Sequence, residues 1–326
     1  NSTYSKPIRF AMKKILLFCD PGIDDSLAIM YALLHPNLEV VGIVSSYGNV
    51  TQEKATNNAA YLLKLAGRED IPLIGGAKGP LSGEITVYYP EIHGPEGLGP
   101  IRPPETIVGE LLNYDRVFDI IEQYKGELTI VDVGRSTSLA IAFILGEEHM
   151  KKVKEYFIMG GAFLVPGNVT PVAEANFHGD PIAANLVLSK AKNVTIVPLN
   201  VTNEAMVTSE VVDYITQVQF NPFTSLIQPI FEFYADAYRE LVPGLNGAPM
   251  HDVLTLSALT KPEVLRYIER PVTVQILEET RGQSVTDFRP GWQPEPTDLL
   301  HHVALELDYQ LFIHDFVDVM TKSLNE

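Results

Sequence analysis

The feature that most constrains the fold is an alternation of short apolar runs with longer stretches of helical periodicity. Five apolar runs of four to eight residues are the predicted strands: Ile15–Cys19, Glu39–Ser46, Leu128–Val133, Tyr156–Met159 and Val194–Pro198. Longer stretches with apolar residues on one face are the predicted helices: Asp24–Leu34, Gln52–Ala66, a stretch near Leu139, Pro181–Lys190 and Phe223–Arg239. Strand and helix in repeated order predict an α/β fold with a mostly parallel central sheet flanked by helices.

The rest of the chain is predicted to extend this unit rather than to form a second one. Pro271–Phe288 is predicted to add antiparallel strands, and Asp308–Ser323 to form a closing helix. The two segments richest in Gly and Pro, Gly75–Pro104 and Val242–Pro249, do not separate halves of different composition. Loops this long in a compact domain are more often functional than linkers. A single domain over residues 12–326 is therefore predicted.

Composition and charge narrow the class of protein. Lys and Arg number 24 and Asp and Glu number 41, which gives a net charge of −17. A surface this acidic repels phosphate, so we expect neither nucleic acid nor an anionic membrane as a partner. Cys19 is the single cysteine, which excludes an intrachain disulfide and favours a cytoplasmic location. Residues 1–11 precede a natural-looking start at Met12 and are expected to be a remnant of the expression vector.

Three carboxylates follow the first predicted strand, where the site of such a sheet is expected. Asp20, Asp24 and Asp25 lie within six residues, and Asn49 follows the second strand. Ligands of open parallel sheets bind outside the carboxyl ends of the strands. Carboxylates brought together repel one another unless a cation shares the site, and a hard ion such as calcium or magnesium takes oxygen ligands of this kind. The alternative is that Asp24 and Asp25 cap the helix that follows.

Two later segments are also candidates for a site. His251 and Asp252 come directly after the Gly- and Pro-rich loop, although Asp252 could be a helix N-cap and His251 a solvated loop residue. Asn168, Glu174 and Asn176 form a polar stretch before the helix at Pro181–Lys190. Such side chains donate to and accept from several hydroxyl groups, which suits a sugar. Ordinary turn chemistry is the alternative for these three residues.

Four blocks in chain order, DPGIDD, GN, NVTPVAEAN and MHD, resemble the inosine–uridine-preferring nucleoside hydrolases. The resemblance includes HGPEGLG at residues 93–99 and Met159-Gly160-Gly161, and it runs from about Met12 to the C-terminus. It implies a single α/β domain around a Rossmann-like sheet, a bound calcium ion, and a homodimer or homotetramer. The implied reaction is hydrolysis of the N-glycosidic bond of purine or pyrimidine ribonucleosides to ribose and free base.

The resemblance also implies roles for individual residues. Asp20 would be a calcium ligand and the base for a calcium-bound water, and His251 the general acid that protonates the departing base. The other implied metal ligands are Asp25, the backbone carbonyl of Val133, and Asp252. The implied substrate contacts are Asp24, Asn49, His93, Met159, Asn168, Glu174 and Asn176. Because calcium would hold the ribose hydroxyls, we expect 2′-deoxynucleosides to be poor substrates.

This chain departs from the family pattern at three positions. Phe18 stands where members often carry an aspartate, and Arg135 lies in the turn after the strand at Leu128–Val133. Ala175 replaces an aromatic residue that could pack on the base, which leaves the base preference open. Tyr234 and Tyr238, four residues apart on a predicted helix, could supply that stacking or could belong to the core.

Other functions compete with the nucleoside hydrolase. One is a catalytically inactive nucleoside- or sugar-binding protein on the same scaffold, and another is a hydrolase of a different N-riboside. A binding protein needs neither an acid nor a base, so the presence of both Asp20 and His251 favours an enzyme. A metal-dependent phosphohydrolase is disfavoured because the Asp20 segment lacks a D-x-D pair and the net charge of −17 repels phosphorylated substrates.

Overall fold

An eight-stranded sheet runs through the protein, with strands in the order β3-β2-β1-β4-β5-β6-β12-β9. A computed structural model describes residues 12–104, 111–218 and 220–324. Within them the strands are β1 (Lys13–Cys19), β2 (Leu38–Ser45), β3 (Leu73–Gly75), β4 (Thr129–Asp132), β5 (Glu155–Met159), β6 (Val194–Val197), β7 (Met206–Val207), β8 (Ala248–Pro249), β9 (Leu265–Arg270), β10 (Thr273–Val274), β11 (Ser284–Val285) and β12 (His301–Leu307). In the main sheet only the β12–β9 pair is antiparallel among the described strands.

Helices cover both faces of this sheet. They are α1 (Ile23–Leu34), α2 (Gln52–Leu65), α3 (Pro90–His93), α4 (Arg116–Gln123), α5 (Thr137–Met150), α6 (Ala175–Gly179), α7 (Pro181–Lys190), α8 (Leu199–Thr202), α9 (Ser209–Val218), α10 (Thr224–Leu241), α11 (His251–Thr260) and α12 (Tyr309–Met320). None of the helices in the described ranges combines the length and apolarity that a bilayer span requires. The predicted α/β fold with a mostly parallel, helix-flanked sheet is confirmed.

Two buried clusters lie on opposite faces of the sheet. In β1, Leu17 and Cys19 belong to the cluster that packs against α1, α11 and α12, whereas Leu16 and Phe18 belong to the one that packs against α4, α5 and α7. This division follows from the period of two in a strand, which sends successive side chains to opposite faces. Because both faces are covered, the central strands are apolar throughout, which is why the sequence revealed them.

The sheet edge beyond β6 differs from the sequence prediction. β9 and β12 extend the main sheet there, and neither strand was predicted. β12 reads HHVALEL, with polar residues at its start and near its end, so it lacks the continuous apolar run of a central strand. The antiparallel addition within Pro271–Phe288 is confirmed as the β10–β11 pair, and the closing helix as α12. The expectation for residues 1–11 lies outside the described residues.

The order of the strands determines where a ligand can bind. β1 lies between β2 and β4, and the chain builds the sheet outward from β1 in both directions. Because the chain changes direction across the sheet after β3, from one side of β1 to the other, a crevice forms at the carboxyl ends of β1 and β4. This is the usual ligand position in doubly wound sheets. Asp20 directly follows β1, and Val133 directly follows β4. The crevice therefore receives the residues on which the sequence analysis focused.

Candidate active site

The turn from β1 into α1 brings three aspartates to this crevice. Gly22 is the N-cap of α1, and neither Asp24 nor Asp25 caps the helix through its side chain, although both lie in the first turn, where the helix dipole favours negative charge. Asp25 Oδ1 instead accepts a hydrogen bond from the backbone N–H of Asp20 at 2.9 Å, and Asn49 Nδ2 donates to Asp25 Oδ2 at 3.0 Å. Capping therefore does not explain these carboxylates.

The fourth carboxylate comes from the far end of the chain. The backbone N–H of Asp252 donates to Asp24 Oδ2 at 3.2 Å, so the first turns of α1 and α11 meet. Met250 is the N-cap of α11, and Asp252, two residues later, lies in the first turn of that helix. Asp20, Asp24, Asp25 and Asp252 are at most 4% exposed, and burial raises the pKa of each. Repulsion by a neighbouring carboxylate raises the pKa of Asp20, Asp24 and Asp252 further.

Two oxygens of this cluster show that the donor set suits a cation. Asp20 Oδ1 and Asp24 Oδ1 are buried and have no hydrogen-bond partner. Leaving a buried acceptor unpaired costs about 1–3 kcal/mol, more for a charged group, so a cation would relieve an existing strain. In the described part of the chain, no group of three or more His, Cys, Asp or Glu side chains is arranged to hold a metal ion as it stands. The support for a metal therefore lies in the unpartnered oxygens and in their preference for a hard ion.

The backbone carbonyl predicted as a metal ligand lies at the same edge. Val133 O accepts a hydrogen bond from Asn176 Nδ2 at 3.0 Å, and the same amide donates to Met159 O at 3.1 Å. Asn176 thus joins the carboxyl ends of β4 and β5. The carbonyl of Val133 has two lone pairs, so it can keep this hydrogen bond and still face a cation.

The polar segment before α7 combines turn chemistry with a position at the cavity. Glu174 is the N-cap of the short helix α6 and accepts from the backbone N–H groups of Asn176 at 2.7 Å and Phe177 at 3.1 Å. Asn168 Oδ1 accepts from the backbone N–H of Ala175 at 2.9 Å. Burial raises the pKa of Glu174 to about 7. The two interpretations offered by the sequence are therefore compatible, because the hydrogen bonds hold these side chains at the cavity wall.

A cavity of about 150 Å³ opens above the carboxylates. The residues predicted from sequence that line it are Asp24, Asn49, His93, Val133, Met159, Asn168, Glu174, Asn176, His251 and Asp252. Asp20 and Asp25 do not line the cavity but lie directly beneath it, joined to Asn49 by hydrogen bonds. Other lining residues, which the sequence analysis did not assign to the site or left open, are Tyr89, Ile92, Val169, Ala175, Tyr234, Tyr238 and Leu241.

His251 lies between two hydroxyl groups, one at each ring nitrogen. Its Nδ1 is 2.7 Å from Thr202 Oγ1, and its Nε2 is 3.1 Å from the Tyr238 hydroxyl. Burial lowers the pKa of His251 to about 4, so the imidazole of the free protein is neutral at pH 7. The rings of Tyr234 and Tyr238 pack edge to face at 4.9 Å. Their i,i+4 spacing was the sequence signal that these two tyrosines share one face of a helix. In the structure that face of α10 lines the cavity.

His93 connects the long loop to the start of α1. Its Nδ1 accepts a hydrogen bond from the backbone N–H of Ile23 at 3.0 Å, and its ring stacks on Tyr234 at 5.8 Å. A side chain at Gly22 would collide with the His93 ring, so this close approach requires glycine. His93 thus fixes the loop that carries Tyr89 and Ile92 over the carboxylates.

Comparison with known proteins agrees with this geometry. Residues 15–314 match the sequence profile described as inosine-uridine preferring nucleoside hydrolase. The chain belongs to this family. It is 34% identical over 309 residues to the pyrimidine-specific ribonucleoside hydrolase RihA of Escherichia coli K12, covering 93% of this chain and 97% of the relative. Among solved structures, the plant nucleoside hydrolase PpNRh1 superposes with a TM-score of 0.88 at 32% identity, covering 95% of this chain and 99% of that one.

A second solved structure is the purine-preferring ribonucleoside hydrolase from Gardnerella vaginalis, with a TM-score of 0.87 at 28% identity. It covers 95% of this chain and 98% of its own. The predicted family, and the prediction of an enzyme that hydrolyses ribonucleosides, are confirmed. The roles of individual residues in this nucleoside hydrolase, the calcium ion and the oligomeric state stay predictions.

Proposed function

We propose that this nucleoside hydrolase uses one calcium ion at the carboxylate edge to cleave the N-glycosidic bond of ribonucleosides, with pyrimidine ribonucleosides preferred. The observation that carries the proposal is a pair of unpartnered buried oxygens, Asp20 Oδ1 beneath the cavity, which suits the ion, and Asp24 Oδ1 in its wall, which suits a ribose hydroxyl. Asp20, Asp25, Asp252 and the Val133 carbonyl would hold the ion. When bound, calcium supplies a positive charge that orients the ribose hydroxyls and lowers the pKa of a water molecule.

The ribose ring is bound by residues with complementary hydrogen-bonding groups. Asp24 and Glu174 accept from hydroxyls, whereas the amides of Asn49, Asn168 and Asn176 both donate and accept. Carboxylates around the ring favour the positive charge that develops on the sugar as the bond to the base breaks. The Asp20 carboxylate would accept the proton of the attacking water.

The base departs toward His251 and the two tyrosines of α10. Burial keeps the His251 imidazole neutral in the free protein, with a pKa of about 4. As the bond breaks, negative charge develops on the base and favours the protonated form of a neighbouring group. The Tyr238 hydroxyl and Thr202 hold the ring so that one nitrogen accepts and the other donates. His251 therefore takes up a proton from solvent as this negative charge develops, and it then passes that proton to the leaving base.

The size of the cavity supports a small base. At about 150 Å³ it is smaller than the roughly 300–1,000 Å³ usual for pockets that enclose drug-sized ligands. The aromatic side chains of Tyr89, Tyr234 and Tyr238 line it and take up part of its space. A relative that is 34% identical over 93% of this chain is named as pyrimidine-specific, which supports the preference for a pyrimidine. A homodimer or homotetramer in the cytoplasm completes the proposal.

Release of reducing sugar tests the proposed reaction. Uridine, cytidine, inosine and 2′-deoxyuridine are incubated without phosphate, before and after removal of calcium by a chelator. We expect release from uridine and cytidine ahead of inosine, loss of activity on chelation and recovery with added calcium. Release from 2′-deoxyuridine should be about a thousandfold lower, because the site loses a hydroxyl that it is built to bind. Activity that survives chelation would contradict the metal role, and preference for inosine would contradict the base assignment.

A further inference from the structure

Arg135 is a buried cation beside the site. It is 8% exposed, and in the described ranges no carboxylate oxygen lies within 4.0 Å of its guanidinium group. The guanidinium carbon lies 5.5 Å from the centroid of the Tyr47 ring, a stacking arrangement that arginine favours. A side chain at Gly179 would collide with the Arg135 side chain. Tyr47 and Gly179 thus form a slot that fits an arginine without neutralising it.

The turn that bears Arg135 also presents the Val133 carbonyl. The backbone N–H of Gly134 donates to Asp132 Oδ1 at 3.1 Å, which closes the turn on itself. Ser136 has a φ of +62°, a left-handed conformation that costs a non-glycine residue about 1–2 kcal/mol. A turn held in this way is rigid, so the base of the Arg135 side chain has a fixed position relative to Val133.

The far end of Arg135 reaches the segment 77–89, which we call the strap. The strap has no regular secondary structure and runs past the site to α3. Contacts along its length hold it. At its start the Tyr47 N–H donates to Ala77 O at 3.0 Å and the Ala77 N–H to Ser138 Oγ at 2.9 Å; at its end the Ile92 and His93 N–H groups donate to Tyr89 O, both at 3.1 Å. Between them lie Leu81 N–H to Asp180 Oδ2 at 2.8 Å, the Glu84–Arg281 ion pair at 2.7 Å, and Arg135 Nη2 to Val87 O at 3.4 Å. The Arg135 contact at Val87 is two residues before Tyr89, which lines the cavity.

We propose that Arg135 is a positioning residue that holds Tyr89 at the cavity by anchoring the strap at Val87 to the turn of the Val133 carbonyl. The proposal rests on the proposed function, because it concerns substrate binding at the same site. Side chains of the strap face solvent at Ile85 and Val87, which are 97% and 64% exposed, so packing does not fix this stretch. The Tyr89 carbonyl is held at the start of α3 by the N–H groups of Ile92 and His93. The hydrogen bond from Arg135 restrains the backbone that leads into this position, where apolar contacts do not.

Arg135→Met and Arg135→Lys test this role in the full-length, calcium-loaded protein. Arg135→Met keeps the length of the stem and removes the guanidinium, so KM for uridine should rise about fivefold while kcat changes less than about twofold. Amide hydrogen exchange in 81–89 should become faster. Arg135→Lys keeps the charge but not the planar fork, so we expect an intermediate KM and an intermediate exchange rate.

A double-mutant cycle with Tyr89→Ala shows whether Arg135 acts through Tyr89. Tyr89→Ala should raise KM by itself, and adding Arg135→Met should then raise it little further, because the anchored group is already gone. Additive effects of the two substitutions would overturn the proposal. If Arg135→Met does not fold, the cycle is run with Arg135→Lys.

Arg281→Met is the matched control, because it removes the cation that anchors the strap three residues earlier, at Glu84. It should speed exchange near Glu84 and leave KM within about twofold of the parent. Unchanged exchange in 81–89 and unchanged KM for Arg135→Met would overturn the anchoring role. If the parent enzyme cleaves no ribonucleoside, the proposed function fails, whereas the exchange measurement still decides whether Arg135 holds the strap.

Discussion

The two ends of α1 both bury polar groups, but they satisfy them differently. At the C-terminal end, Asp315 accepts hydrogen bonds from the hydroxyls of Tyr31 and Ser257, and His35 is bonded to Thr260 Oγ1 at 3.1 Å and to the Asn37 N–H at 3.0 Å. No buried side-chain nitrogen or oxygen of these described residues lacks a partner. This is the usual condition of buried polar groups in a folded protein.

At the N-terminal end, two buried carboxylate oxygens have no partner. Asp20 Oδ1 and Asp24 Oδ1 belong to a cluster of four buried carboxylates, of which Asp24 and Asp252 line the cavity and Asp20 and Asp25 lie beneath it. The difference separates a polar cluster that satisfies its own hydrogen bonds from one that, under the proposed function, a calcium ion and a ribose would complete. Burial alone does not distinguish the two ends of α1, since both are buried. Unpartnered atoms alone do not mark a site either, because Asn58 Oδ1 and His301 Nδ1 also lack partners away from the cavity; the N-terminal end of α1 combines unpartnered carboxylate oxygens with a cavity beside them.

The largest effect should come from removing one carboxylate at each end. Asp20→Ala should lower kcat by about 10⁴-fold or more for every ribonucleoside, because it removes both a metal ligand and the base. Its thermal stability without calcium should not fall, since one repelling charge has gone. Activity assays and thermal unfolding measure both quantities.

Asp315→Asn is the matched variant at the other end of α1. It should keep kcat within about twofold and lose about 2 kcal/mol of unfolding free energy, because the hydroxyls of Tyr31 and Ser257 lose a charged acceptor. A large loss of kcat in Asp315→Asn with intact folding would remove the functional distinction between the two ends.

A smaller effect should follow from displacing Asp20 without removing it. A side chain at Gly48 would collide with Asp20 Oδ2, so Gly48→Ala should lower kcat about 100-fold. Gly79→Ala is the control, because a Cβ there meets no atom within 4 Å, and its activity should be unchanged. Equal activity of the two variants would show that the position of Asp20 tolerates a shift.

His251→Ala should affect substrates according to their leaving group. The loss should be about 100-fold for uridine, whose base leaves poorly without a proton, and less than about threefold for 4-nitrophenyl riboside, whose phenolate leaves readily. Steady-state rates for the two substrates measure the difference. An equal loss on both would contradict the general-acid role of His251.

The smallest effect is the pH dependence of stability at the C-terminal end of α1. Burial lowers the pKa of His35 from 6.5 to about 4, so the folded state binds fewer protons than the unfolded one between these values. Its contribution to stability is present above pH 6.5 and falls as the pH drops toward 4. Between pH 7 and pH 5 the parent should lose about 2 kcal/mol more than His35→Asn. Denaturant unfolding at both pH values tests this, and parallel losses would contradict it.

Sequence patterns predicted the parts of the molecule in which local and global signals agree. The strands that became β1, β2, β4, β5 and β6 are apolar on both faces, so their runs are visible without tertiary information. Asp252 was placed with Asp20 only through a family resemblance. The two are separated by 231 residues of chain, and no local sequence pattern predicts that the helices α1 and α11 meet.

The features that the sequence analysis did not predict depend on tertiary contacts. β12 has the mixed polarity of a strand near a sheet edge, and the position of Tyr89 depends on contacts of the strap with several separate elements. Tyr238 could not be assigned to core or site because both use the same i,i+4 spacing. Its hydrogen bond to His251 decides the question, and that contact is visible only in the folded structure.

Titration of calcium into chelator-treated protein tests the central claim most directly. The unpartnered carboxylates predict one tight calcium site per chain in the parent and in Asp315→Asn, and its loss in Asp20→Asn, which keeps the shape of the side chain but not its charge. Isothermal calorimetry gives the stoichiometry, and a rise in melting temperature with calcium gives an independent reading. Absence of calcium binding in the parent, or equal binding in Asp20→Asn, would contradict the account.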